Sequence, residues 1–136
     1  MNAGSIAAIV VVVGYIGFEV YAVKRSGFRM EPGYILGQFA SAARGAELCA
    51  TPNADQQERF ARNYATTRWR AERALAAQNP THSTAQINTE ISAQIAEYYA
   101  TVDTLVETNG CAGGEAWKLV KHFDNLSRLN LPQPKS

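Results

Sequence analysis

The feature that most constrains this chain is an apolar run near its N-terminus, IAAIVVVVGYIGFEVYAVKRSGFR at residues 6–29, which ends in a basic segment. Residues 4–18 contain no ionisable side chain except the phenol of Tyr15. A helix of about 20 residues spans ~30 Å, which matches the hydrocarbon core of a bilayer. We therefore predict one transmembrane helix at residues 4–23, within an anchor and linker that occupy residues 1–31.

A cleaved signal peptide is the alternative interpretation of this run, because Val20, Tyr21 and Ala22 resemble a cleavage site with small residues. The preceding MNAGS segment contains no Lys or Arg. The apolar run is also longer than the roughly 7 to 15 residues of a signal-peptide core. Both observations favour a retained membrane anchor.

The predicted membrane helix contains three residues that suggest contact with another helix. Gly14 and Gly17 are small enough to let a second helix approach closely, although their spacing differs from the GxxxG repeat. Glu19 lies about one turn inside the helix end, where a carboxylate is costly unless it reaches the headgroups or a partner. We predict that Gly14, Gly17 and Glu19 form a membrane-helix contact.

Two patterns in the sequence predict opposite orientations of the anchor. Lys24, Arg25 and Arg29 follow the apolar run, and positive residues favour the cytoplasmic side. The two cysteines, Cys49 and Cys111, favour an oxidising compartment if they are bonded to each other. We predict an exoplasmic, periplasmic domain, with a cytoplasmic domain as the close alternative.

The rest of the chain shows helical spacing of apolar residues and no sustained strand alternation, so we predict an all-α domain. A bundle of about four helices at residues 32–131 would follow the membrane helix, and residues 132–136 would form an irregular tail. The second and third soluble helices would be the longest. Each of the first three soluble helices has an expected buried stripe. These are Ile35, Phe39, Ala42, Ala46 and Cys49 on the first; Phe60, Tyr64, Thr67, Ala71 and Leu75 on the second; and Ile87, Ile91, Ile95, Tyr98, Val102 and Leu105 on the third.

Local signals predict where these helices begin and end. Pro32-Gly33 would end the linker, and Thr51 followed by Pro52 would cap the second helix. Thr81, Ser83 or Thr84 would cap the third helix, and Asn109-Gly110 would stop it. Glu115 would open the fourth helix, with Leu119, Phe123 and Leu126 on its buried face.

The two cysteines lie at the ends of predicted elements. Cys49 closes the first soluble helix and Cys111 lies in the turn before the fourth, so a disulfide between them would join the first element to the last. Such a bond would contribute ~4 kcal/mol in the chain-entropy model. Two inert thiols are the alternative. A third interpretation is a reactive thiol at Cys111, since a helix start lowers a thiol pKa.

Composition and motifs argue against several classes of function. Thirteen Lys plus Arg against twelve Asp plus Glu give a net charge of +1, which makes nucleic acid an improbable partner. His82 and His122 stand in no metal-ligand spacing, and no haem attachment, P-loop or nucleophile motif is present. We predict no cofactor, no metal and no catalytic activity.

Aromatic residues next to arginine indicate where the domain contacts a partner. Trp69 lies between Arg68 and Arg70, and Trp117 stands near the start of the fourth helix. Trp and Arg are enriched in protein interfaces, although Arg68 and Glu72 also have the spacing of a surface ion pair. We predict an accessory or assembly subunit of a membrane protein complex. The alternatives are an anchored ligand-binding module, with Tyr64, Tyr98 and Trp117 around a cavity, and an anchored thiol-redox protein that uses Cys111.

Overall fold

Four helices make up most of residues 31–134, the part of the chain that the computed structural model describes. They are α1 (Glu31–Cys49), α2 (Ala54–Gln78), α3 (Thr84–Asn109) and α4 (Ala116–Ser127). No strand occurs in this part of the chain. The all-α class and the four-helix bundle are confirmed, and α2 and α3 are the longest helices, as predicted.

The predicted membrane helix at residues 4–23 lies outside the described residues. Between residues 31 and 134, every helix is too short or too polar to cross a bilayer.

The start of α2 differs from the sequence prediction. The N-cap is Asn53 rather than Thr51, because the Asn53 side chain accepts a hydrogen bond from the Gln56 backbone amide at 2.8 Å. Asn caps a helix at least as well as Thr, and this choice places Asp55 in the first turn, near the positive end of the helix dipole. Pro52 consequently lies before the cap and not at the first helical position.

The ends of α3 follow the predicted signals. Ser83 caps the helix in a capping box, in which its hydroxyl accepts from the Gln86 backbone and the Gln86 side chain accepts from the Ser83 backbone. Gly110 ends the helix with a φ of 72°, a conformation that glycine adopts without steric cost. The fourth helix follows Glu115, also as predicted.

Helix α1 lies at the centre of the bundle and contacts each of the other three helices. Pro32 and Gly33 lie in the first turn of α1, which begins at Glu31. The central position of α1 corrects one prediction. Ile35 is 40% exposed, whereas its neighbour Leu36 is 1% exposed and packs against Ala71 and Ile91. A helix with neighbours on several sides buries more than one stripe, so a single-stripe prediction assigned the wrong residue.

The core consists of two apolar clusters along α1. One is aromatic: the Phe60 ring contacts that of Phe39 and stacks on that of Phe123, with the Phe60 and Phe123 centroids 4.1 Å apart. The other is aliphatic and contains Leu36, Ala71, Ile87 and Ile91. Together they join α1 to α2, α3 and α4.

Small residues let the neighbouring helices approach α1 closely. A Cβ atom built on Gly45 would lie 2.6 Å from the Cβ of Leu119 on α4, and one built on Gly37 would overlap the ring of Tyr98 on α3. Gly33, by contrast, has open space at this position. Gly37 and Gly45 are therefore packing positions, a role that helical spacing alone did not assign to them.

Candidate functional site

The end of the bundle where α1 stops is held by the predicted cysteine pair. Cys49 is the last residue of α1 and Cys111 lies in the turn before α4. Their sulfur atoms are 1.99 Å apart and their Cα atoms 5.4 Å apart, across 62 residues of sequence. The structure therefore places the two cysteines at disulfide distance. The described residues contain no free cysteine.

A polar contact between α1 and α3 lies near the same end. The Arg44 guanidinium donates to both carboxylate oxygens of Asp103, at 2.6 and 3.3 Å, and to Glu47 at 2.8 Å. These hydrogen bonds raise the pKa of Arg44. The same guanidinium lies 5.9 Å from the centre of the Tyr99 ring. Because the guanidinium bonds both carboxylate oxygens of Asp103, this contact fixes the register of α1 against α3.

The two histidines lie apart and each has its own partner. His122 on α4 forms a hydrogen bond with Gln38 on α1, and burial lowers the pKa of its imidazole. His82 lies in the α2–α3 connection, with Nδ1 3.0 Å from a carboxylate oxygen of Glu90. Within residues 31–134, no group of three or more His, Cys, Asp or Glu side chains is arranged to hold a metal ion.

The residues proposed for a ligand cavity do not come together. Tyr64 lies at the α2–α3 contact, where its hydroxyl is 3.3 Å from that of Tyr99 and burial raises the pKa of its phenol. Tyr98 packs over Gly37 instead. Trp117 is 50% exposed on α4. What Tyr64 does line is an open groove of about 330 Å³ between α2 and α3, whose other lining residues are Ala61, Ala65, Arg68, Ile95 and Tyr99.

The surface of α2 combines an exposed tryptophan with three arginines, Arg62, Arg70 and Arg73. Trp69 is 39% exposed, and the Arg73 guanidinium lies 5.1 Å from its ring centre. Residues 62, 69 and 73 are seven and four apart and so share one helix face, with Arg70 beside them. None of these arginines forms an ion pair with another described residue, whereas Arg59 pairs with Asp55. We call Arg62, Trp69, Arg70 and Arg73 the Trp69 patch.

Arg68 differs from the arginines of the Trp69 patch because its guanidinium is already occupied. It donates to Glu72 at 3.0 Å, which is the predicted i,i+4 pair, and also to Asn88 and Ser92 on α3. Arg68 therefore connects α2 to α3, and its contacts favour a structural role over partner contact.

The other residues that the sequence pointed to are dispersed. Trp117 lies in the first turn of α4, with the Lys118 ammonium 5.8 Å from its ring centre. Gly14, Gly17 and Glu19 lie outside the described residues. Arg62 and Arg73 were not predicted from the sequence, although the spacing of seven and four residues around Trp69 could have identified them.

The fold and the site define a four-helix bundle with a cysteine pair at one end and an exposed aromatic and basic patch on α2. A comparison with protein-family models, with curated sequences and with solved structures finds no match to this chain.

Proposed function

We propose that this protein is a non-catalytic, single-pass membrane protein whose helical domain lies on the exoplasmic side and binds a partner protein as an accessory or assembly subunit. The observation that carries the proposal is the Trp69 patch. A large exposed aromatic side chain beside arginines that form no ion pair with another described residue has the composition of an interface hot spot.

The location of the domain rests on two further observations. The apolar run at residues 4–23 has the length of a membrane helix. The structure places Cys49 and Cys111 at disulfide distance, and a disulfide persists in oxidising compartments. Together they favour a periplasmic or other exoplasmic domain over a cytoplasmic one.

Tethering explains how a small domain of low net charge can act as a subunit. A domain held at the membrane meets a membrane partner at high effective concentration, so a modest interface is sufficient. Arg68 donates to Asn88 and Ser92 on α3 and so limits the motion of α2, the helix that carries the Trp69 patch. A rigid bundle loses less conformational entropy when the Trp69 patch is covered.

The experiment is recovery of partner proteins from gently solubilised membranes with tagged full-length chain. Trp69→Ala should reduce the recovered partner about tenfold, because truncation of an interface tryptophan costs at least about 1.4 kcal/mol. Arg70→Glu should have a similar effect through its charge.

Leu48→Ala is the matched control, since Leu48 is 40% exposed on α1 and lies outside the Trp69 patch. If the wild type, Trp69→Ala and Leu48→Ala recovered equal amounts of partner protein, the Trp69 patch would not be the partner-binding surface.

A further inference from the structure

The charges of α2 and α3 are opposite in sign. Helix α2 contains five arginines and three acidic residues, and after its two internal ion pairs it retains Glu58 and the three arginines of the Trp69 patch. Helix α3 contains four acidic residues and no Lys or Arg. Asp103 is paired with Arg44, and Glu90 contacts His82, a residue of the α2–α3 connection. The two neighbouring helices therefore present complementary surfaces to solvent.

The contacts between α2 and α3 define which residues lie at the same height along the bundle. The two helices are antiparallel, with Tyr64 opposite Tyr99 and Ala71 packed with Ile91. Because both helices rise by about 1.5 Å per residue, residue 73 is level with residue 90. Position 66, midway between Arg62 and Arg70, is level with Glu97.

A two-fold axis parallel to the helices would bring these complementary surfaces together. Such an axis places α2 of each copy opposite α3 of the other copy. Because the axis runs along the helices, residues that are level within one copy are also level across the interface. The interface is self-complementary, as a closed dimer requires. The same axis places residue 31 of both copies at the same end of the dimer.

We propose that the Trp69 patch binds α3 of a second copy of this chain in a two-fold dimer. Arg73 of each copy faces Glu90 of the other, and Glu97 lies between Arg62 and Arg70, within the reach of either side chain. Trp69 packs beside Ala93, which is exposed on α3.

The outer face of α2 favours a protein occupant over a lipid surface. Binding in the membrane interface requires a broad apolar helix face. Trp69 is the only large apolar side chain of α2 that is exposed among the described residues. A single tryptophan beside several arginines is complementary to an acidic protein surface. Helix α3 of the same chain has such an acidic surface. A net charge of +1 adds little repulsion between copies.

The proposal rests on the proposed function in treating the Trp69 patch as a protein contact, and it names a second copy of this chain as the protein that covers the patch. Its test uses purified chain alone. Sedimentation equilibrium of the full-length protein in density-matched detergent measures the dimer constant. Arg73→Glu should weaken dimerisation at least about tenfold, since it creates two repulsive contacts with Glu90. Glu90→Arg should do the same. Lys121→Glu is the matched control, because it makes the same charge change on α4, away from the interface.

The decisive sample is an equimolar mixture of Arg73→Glu chain and Glu90→Arg chain. In their heterodimer one contact is native and the other has its charges exchanged, so dimerisation should return to near the wild-type constant. A monomeric wild type would overturn the proposal. So would a dimer that Gly17→Leu disrupts and Arg73→Glu does not, because association would then occur through the membrane helix. Failure to recover another protein from membranes would leave this self-association measurement unaffected.

Discussion

Gly45 offers a direct test of how closely α4 packs on α1. The change is Gly45→Ala, which adds a methyl group where the Leu119 Cβ would be 2.6 Å away. Contact at this distance requires a backbone shift, because the Cβ of Leu119 cannot rotate away. Overpacking of this kind costs typically about 1–3 kcal/mol.

A helix also gains stability when alanine replaces glycine, and this gain must be separated from the packing cost. The gain is about 0.5–1 kcal/mol in a helix interior. Gly33→Ala supplies the matched control, because Gly33 is in the same helix and no heavy atom lies within 4 Å of the position that a Cβ would take there. Gly33→Ala should therefore stabilise the domain, whereas Gly45→Ala should destabilise it.

The two variants should differ by about 1–3 kcal/mol in the free energy of unfolding. For a domain of this size each kcal/mol shifts Tm by roughly 4–8 °C. Thermal unfolding followed by circular dichroism of the oxidised protein measures the difference. If Gly45→Ala raised Tm as much as Gly33→Ala does, the close approach of α1 and α4 would be refuted.

Three further predictions concern the cysteine pair, His122 and Arg44. Replacing both Cys49 and Cys111 by Ser should lower the free energy of unfolding by about 4 kcal/mol, measured by urea denaturation, since the pair closes a loop across 62 residues; an unchanged midpoint would contradict this. Burial lowers the pKa of His122, so the unfolded chain binds its proton more readily. Stability should therefore fall as pH drops below about 6.5, and His122→Gln should flatten that slope. Asp103→Asn should lower the urea midpoint of unfolding, because Arg44 loses a charged acceptor. Glu107→Gln should not, since Glu107 lies on the same helix and forms no ion pair with another described residue.

Local signals predicted the helices well because each depends on a few neighbouring residues. Ser83 and Asn109-Gly110 mark the ends of α3 through their own backbone and side-chain chemistry. Glu115 precedes α4 as predicted, without a side-chain cap hydrogen bond. Phe39, Phe60 and Phe123 were assigned to the core by spacing alone, and the structure buries all three. The N-cap of α2 shows the limit of local prediction. Both Thr51 and Asn53 are residue types that cap helices, and the structure uses Asn53.

Features that depend on which helices are neighbours could not be predicted from a single stripe. The central position of α1 decides that Leu36 is buried and Ile35 is not. It also decides the close approach at Gly45. The cysteine pair is an exception: Cys49 and Cys111 were predicted at the ends of the first and fourth soluble helices, where a disulfide forms if those helices pack side by side, and the structure places them at disulfide distance. Of the Trp69 patch, the sequence selected Trp69 and Arg70 as candidate partner contacts and did not select Arg62 and Arg73. The partner role of all four stays a prediction.

The most direct test of the central claim, an exoplasmic domain tied to the membrane, is the mass of the intact protein taken from membranes. The protein is alkylated with a thiol reagent under denaturing conditions, before and after reduction. The account predicts two labels only after reduction, with no covalent dimer on a non-reducing gel, because Cys49 and Cys111 are bonded within one chain. Labelling of both cysteines without reduction would contradict the account and would favour a cytoplasmic domain.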